Sequence, residues 1–182
     1  MSQTAVNPAG QPAAVAGQIT DNQEGMDIVS RFNAETALNI DFGLGVAPGT
    51  ERNAVKVMAN GECEGISVQD FRHSPGVSGD VDQTSALPGL KPKAGMQILR
   101  RGRIWLRLDK SVTSVTPYVS RGYCRYTADG TTNPLVGAWA IADDTGKTKD
   151  CTKQVQFVSG IFTAADGTSH IAEADVDFTN KQ

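Results

Sequence analysis

The chain has 182 residues, with 17 lysines and arginines against 20 aspartates and glutamates, a formal charge of −3. That length suits one domain with a sizeable core. An apolar share of 39% and so small a net charge exclude full disorder. No run approaches the roughly 18 apolar residues of a membrane helix, and the mild acidity argues against a surface that wraps nucleic acid, which needs a basic face.

Residues 1–24 carry no lysine or arginine and are rich in Ala, Gly, Pro and Gln. They lack the basic start and apolar centre of a secretory signal. Two readings stand side by side: a tail that orders poorly alone, or an extended N-terminal arm that orders on a partner through Val15 and Ile19. Residues 25–182 then form a single β-rich domain. Met26 to Leu38 fits two patterns, a helix with Ile28, Phe32 and Glu35 on one face or a strand with Ile28, Ser30, Phe32 and Ala34 on one face, and the extended reading is preferred.

Asn60-Gly61 between Ala54–Ala59 and Glu62–Val68 predicts a hairpin that pairs Val57 with Glu64 and Val55 with Ile66. Met96 to Leu108 predicts a second hairpin. A three-residue loop Arg100-Arg101-Gly102 gathers Met96, Ile98, Ile104, Leu106 and Leu108 on one face and Arg103, Trp105 and Arg107 on the other. Further strands are expected at Thr116–Ser120, Tyr123–Thr127, Ala138–Ala142, Gln154–Thr163 and Ile171–Phe178, separated by Asp-Gly and Thr-Gly turns. The last alternates cleanly, Ala172, Ala174, Val176 and Phe178 inward and Glu173, Asp175 and Asp177 outward. Long loops fall at Arg72–Ala94 and Asp143–Lys153. Many short strands with frequent turns predict an all-β fold, a compact sandwich or barrel of short antiparallel strands.

Chemistry-bearing motifs are sparse. Cys63, Cys124 and Cys151 are odd in number and form no C-x-x-C pair, which suits free thiols; with only His73 and His170 beside them a closed zinc site is not expected. Asp70-Phe-Arg-His73-Ser74 cannot supply a triad from sequence neighbours. Gly43 to Gly49 lacks the Gly-Lys-Ser/Thr ending of a phosphate loop and reads as a turn-rich strand connection. Asp143-Asp144 and Asp80-x-Asp82 do not continue into a calcium loop. No catalytic, cofactor or metal site is expected, and the chain is read as a non-enzyme.

The strongest charge feature is basic: Lys91, Lys93, Arg100, Arg101, Arg103, Arg107 and Lys110. With Trp105 alone to stack on a base, it is a poor nucleic-acid surface. Its complement is the acidic row Glu173, Asp175 and Asp177. The two faces either meet across a protein–protein contact, where such charges set register, or are simply solvated.

Taken in order, several segments resemble a known family. They are Val15-Ala-Gly-Gln-Ile-Thr-Asp21, Asp27-Ile-Val-Ser-Arg-Phe-Asn-Ala-Glu35, Ile40-Asp-Phe-Gly43, Glu64-Gly-Ile-Ser-Val68, Leu99-Arg-Arg-Gly-Arg-Ile-Trp-Leu-Arg107, Thr116-Pro-Tyr-Val-Ser120, Arg125-Tyr-Thr-Ala-Asp-Gly130 and Gly137-Ala-Trp-Ala140. Their order and spacing resemble the structural cement, or head decoration, proteins of tailed bacteriophages. Arg121-Gly-Tyr-Cys124, the Lys147–Cys151 loop and the C-terminal hairpin depart from that pattern. The resemblance implies a β-rich virion protein, made in the host cytoplasm, on the outer surface of an icosahedral head. It implies a homotrimer at three-fold positions that clamps neighbouring major capsid subunits, with no active site, cofactor, membrane or direct nucleic-acid contact. The alternative is a tail- or fibre-associated module binding host carbohydrate, which would need an exposed aromatic platform.

Overall fold

The computed structural model describes residues 14–21, 25–59, 61–69, 89–130, 134–164 and 168–179, and every regular element in it is a β-strand. The long strand β8 (Gly95–Arg107) is the hub of a 9-stranded sheet. Its first half lies between β2 (Asp27–Asn33) and β6 (Gly65–Val68), and its second half between β1 (Ile19–Asp21) and β14 (His170–Asp177). From β2 the sheet continues through β5 (Ala54–Val57) and β4 (Gly45–Pro48) to β6, which pairs back onto β8. The path β8-β2-β5-β4-β6 therefore closes into a small barrel. Only β2 and β5 run parallel. The extended reading of Met26–Leu38 holds as β2.

The Asn60-Gly61 hairpin does not form. Asn60 lies outside the described residues, and the segments flanking it do not pair with each other. Strand β4 sits between them: Val46 faces Val57 on one side and Gly65 on the other. Each of β5 and β6 thereby gains a partner on both edges, whereas a hairpin would have left open edges. Val55 and Ile66 consequently serve different cores rather than one face.

The second expected hairpin is also replaced. Residues 95–107 run as one strand through Arg100-Arg101-Gly102, with Asp177 facing Arg101 and Val176 facing Gly102. Asp27 faces Arg101 while the next residue, Ile28, faces Leu99, so Arg100 is the extra residue of a β-bulge. One extra residue in a period of two reverses the faces. Met96 and Ile98 enter a core with Ile40, Val46, Val55 and Leu90. Leu99, Ile104, Leu106 and Leu108 enter the larger core with Trp139, Val155, Phe157 and Ala174. The apolar residues expected on one face are split between two, and a single strand connects both cores.

The larger core is covered by a 3-stranded sheet of β9 (Tyr123–Arg125), β10 (Trp139–Ala140) and β11 (Thr148–Asp150), with β9 in the middle. The strand expected at Gln154–Thr163 is broken into β12 (Val155–Phe157) and β13 (Phe162–Thr163), both on β14, with Ser159-Gly160 at the break. In the other minor sheet, β3 (Ile40–Asp41) pairs with β7 (Gly89–Leu90). His73, Asp80 and Asp82 lie outside the described residues.

Residues 14–21 of the expected arm lie on the body of the same chain. Gly17 donates its N–H to the Trp105 carbonyl at 2.8 Å, and its φ of +79° places it against Gly43, itself at +75°. A Cβ on Gly17 would stand 2.8 Å from the Gly43 nitrogen, so only two glycines allow this approach.

Candidate interaction surface

The residues expected to mediate contacts are mostly brought together on the outward side of β8 and β14. Alternation along β8 turns Ile104 and Leu106 inward and leaves Arg103, Trp105 and Arg107 outward. On β14 it leaves Glu173, Asp175 and Asp177 outward. Antiparallel register then sets Asp175 opposite Arg103, Asp177 opposite Arg101 and Glu173 opposite Trp105. Arg103 grips Asp175 through two bonds, Nε–Oδ1 at 2.6 Å and Nη2–Oδ2 at 3.1 Å. The Asp175 carboxylate raises the Arg103 pKa further, so this cation never titrates in the working range. Arg101 reaches Asp177 at 3.9 Å, and Arg100 reaches Asp27 at 3.5 Å. Arg101 and Arg103 are thus paired with the acidic row on the neighbouring strand of the same chain, while Arg100 pairs with Asp27 on β2.

Arg107 is buried. It pairs with Asp41 at 3.5 Å and donates to the Ser169 hydroxyl. The covering layer is the chain itself: Ala14, Ala16, Ala164 and Ile171 form a small cluster against Trp105. Trp105 in turn meets Phe162 edge-on, with centroids 5.4 Å apart. Ile19 packs against the larger core, and Val15 is half-buried at the edge of this layer.

Sequence reasoning missed the most prominent apolar feature. Thr116–Ser120, expected as a strand, is a tight turn closed by a bond from the Val119 N–H to the Thr116 carbonyl at 3.2 Å. Pro117 occupies the second position and Tyr118 the third, with φ of +63°. That is the pattern of a type II turn, whose third position normally holds glycine. The signal was present in the sequence, since proline favours that second position and removes a ladder donor. The turn is firmly seated. Tyr118 donates its N–H to the Phe157 carbonyl at 2.7 Å, Gln156 Nε2 donates to the Tyr118 carbonyl at 2.7 Å, and Ser120 Oγ accepts from the Thr116 N–H at 3.0 Å. Yet its side chains point to solvent: Tyr118 is 66% exposed and Val119 71%. Through Gln156 on β12, this turn adjoins Asp175 on β14 and Arg103 on β8, so knob and charge ladder belong to one side of the sheet.

A second missed group is buried. Arg125 donates from Nε to Asp109 Oδ2 at 2.8 Å and from Nη1 and Nη2 to Asp144 Oδ2 at 3.1 Å each. The Arg125 and Asp109 side chains are each 1% exposed. Burial raises the Asp109 pKa, with Arg125 pulling the other way. Asp144, which sequence alone placed in no site, is the second anion of this group. Its neighbour Asp143 accepts from the Thr148 hydroxyl. These bonds lock the β9–β11 sheet onto the end of β8. No cluster of three or more metal-ligating side chains with suitable geometry occurs among the described residues.

Comparison with known proteins follows the same line. No curated protein matches the chain. A chain from a structure titled "The capsid of Myoviridae Phage XM1" superposes with a TM-score of 0.61 over 90% of each chain at 10% identity, which shows a shared fold. The family model described as "Structural cement protein (E217 gp24/Pam3 gp6)" matches residues 2–176, nearly the whole chain. Matched over nearly its whole length by that family model, this all-β chain belongs to the phage structural cement protein family.

Proposed function

We propose that this protein binds the outer surface of the icosahedral head, as a homotrimer at three-fold positions, and stabilises contacts between neighbouring major capsid subunits. Family membership supports a structural role at the capsid; the surface used is read from the geometry. The observation that carries it is Tyr118. A non-glycine residue in the left-handed region costs on the order of 1–3 kcal/mol and persists only where its surroundings hold it. Here three hydrogen bonds hold the turn, and what the strain presents is a tyrosine and a valine facing solvent. An aromatic anchor of this kind, rimmed by paired charges, suits a protein-binding hot spot. The charge ladder beside it contributes alignment rather than affinity, because its groups are already satisfied in the free chain.

The test is Tyr118→Gly, mixed with undecorated heads and sedimented. Glycine relieves the backbone strain, so the variant melts higher, by about 1 kcal/mol of added stability, even though it has lost a side chain. It nevertheless pellets with heads at least tenfold less than wild type. Undiminished pelleting of a folded Tyr118→Gly protein removes the turn from the interface, and glycan binding without head binding would favour a fibre-associated module instead.

A further inference from the structure

The three cysteines come from segments far apart in the chain, yet they converge. Cys124 and Cys151 are buried in the larger core, and half-buried Cys63 packs against that same core. Gly45 marks the meeting point. A methyl group built on it would overlap Cys124 Sγ, touch Cys63 Sγ at 3.4 Å and touch Trp139 Cζ2 at 3.2 Å. Both sulfurs thus crowd the same face of Gly45, into space that a side chain there would take. Cys63 Sγ donates to the Gly65 carbonyl at 3.5 Å and Cys124 Sγ to the Gly137 carbonyl at 3.7 Å. Cys63 is also within hydrogen-bonding range of both other thiols. Cys63 precedes β6 in an irregular stretch, residues 61–64, and Gly61 and Glu62 there are exposed. Cys63 is the most exposed of the three thiols.

We propose that Cys63 and Cys124 are a redox pair that forms an intrachain disulfide when the protein meets a disulfide oxidant. With oxidised glutathione the steps balance. The Cys63 thiolate attacks one glutathione sulfur, forming a mixed disulfide and expelling a glutathione thiolate. The Cys124 thiolate then attacks the Cys63 sulfur and expels the second glutathione thiolate. The two protein protons end on two glutathione thiols, and the pair is oxidised by two electrons. The hydrogen bond with Cys124, followed by burial, raises the pKa of Cys63, and burial raises that of Cys124, which keeps the pair slow to react at neutral pH. The bond ties the stretch before β6, a barrel strand, to the centre of the β9–β11 sheet. It joins two elements that are otherwise held together by packing, and closes a long loop of chain.

The experiment uses the full chain, incubated with oxidised glutathione at pH 8 and mapped by mass spectrometry without reduction. The expected product has lost two hydrogens and yields a Cys63–Cys124 linked peptide. It melts about 5–10 °C above the reduced protein, and dithiothreitol reverses the shift. Cys63→Ser, whose fold is checked by circular dichroism, shows neither linkage nor shift, and Cys151→Ser shows both. A protein that stops at a glutathione adduct on Cys63, that links Cys63 to Cys151, or that stays fully reduced under these conditions overturns the assignment.

Discussion

At the scale of single residues, the structure places its costs where they are covered. The buried Arg125 has a guanidinium bound by two carboxylates, and Asp109 bears the heavier burden because burial favours its neutral form. Removing one member of such a pair strands the other without water or partner. Asp109→Ala is therefore expected to cost about 3–5 kcal/mol, and adding Arg125→Met to recover more than half of that loss. Urea unfolding of the wild type, the two single variants and the double variant measures it. Neither residue was legible as special in the sequence, because a charged residue's burial depends on distant segments: Asp109 lies just past β8, Asp144 lies beyond β10, and only the fold brings them to Arg125. Tyr118 was more accessible to reading. Pro117 announced a turn, and the alternating look of Thr-Pro-Tyr-Val-Ser obscured it.

At the scale of elements, period-two patterning found most of the strands and misassigned their partners. β14 was readable because its length and alternation leave no other choice, whereas β2 carried a pattern that also fitted one helical face and was settled only by its place beside β8. The Asn60-Gly61 signal failed because hairpin propensity is local, and closing the barrel gives β5 and β6 better partners than each other. β8 failed for a related reason: Arg-Arg-Gly resembles a loop, but with neighbours on both edges it becomes a bulge in a continuous strand. The bulge carries a strong prediction. Deleting Arg100 restores an uninterrupted period of two, so either Met96 and Ile98 or Ile104 and Leu106 must turn away from their core. Exposing even two such side chains costs about 3–6 kcal/mol before any strain is counted, a large share of a typical domain's stability. The deletion variant is expected to be insoluble or to lack near-ultraviolet circular dichroism, whereas Arg100→Ala, which keeps the bulge, folds.

At the scale of the whole molecule, composition predicted an unremarkable acidic domain, and the structure explains why the charge is quiet. Basic and acidic rows that looked like complementary surfaces of two proteins are adjacent strands of one. Surface pairs of this kind add little stability, but Arg101 and Arg103 are matched by Asp177 and Asp175 on this face, beside which the Tyr118–Val119 turn projects. That shape suits the role proposed for it on the capsid. The claim has a direct measurement. Genome-filled heads lacking this protein are heated with and without it, and the temperature at which the DNA becomes accessible to an intercalating dye is recorded. The account predicts a higher release temperature at saturating protein, with no further gain once every site is filled. Heads that carry the full complement of protein and still release their DNA at the undecorated temperature would contradict it.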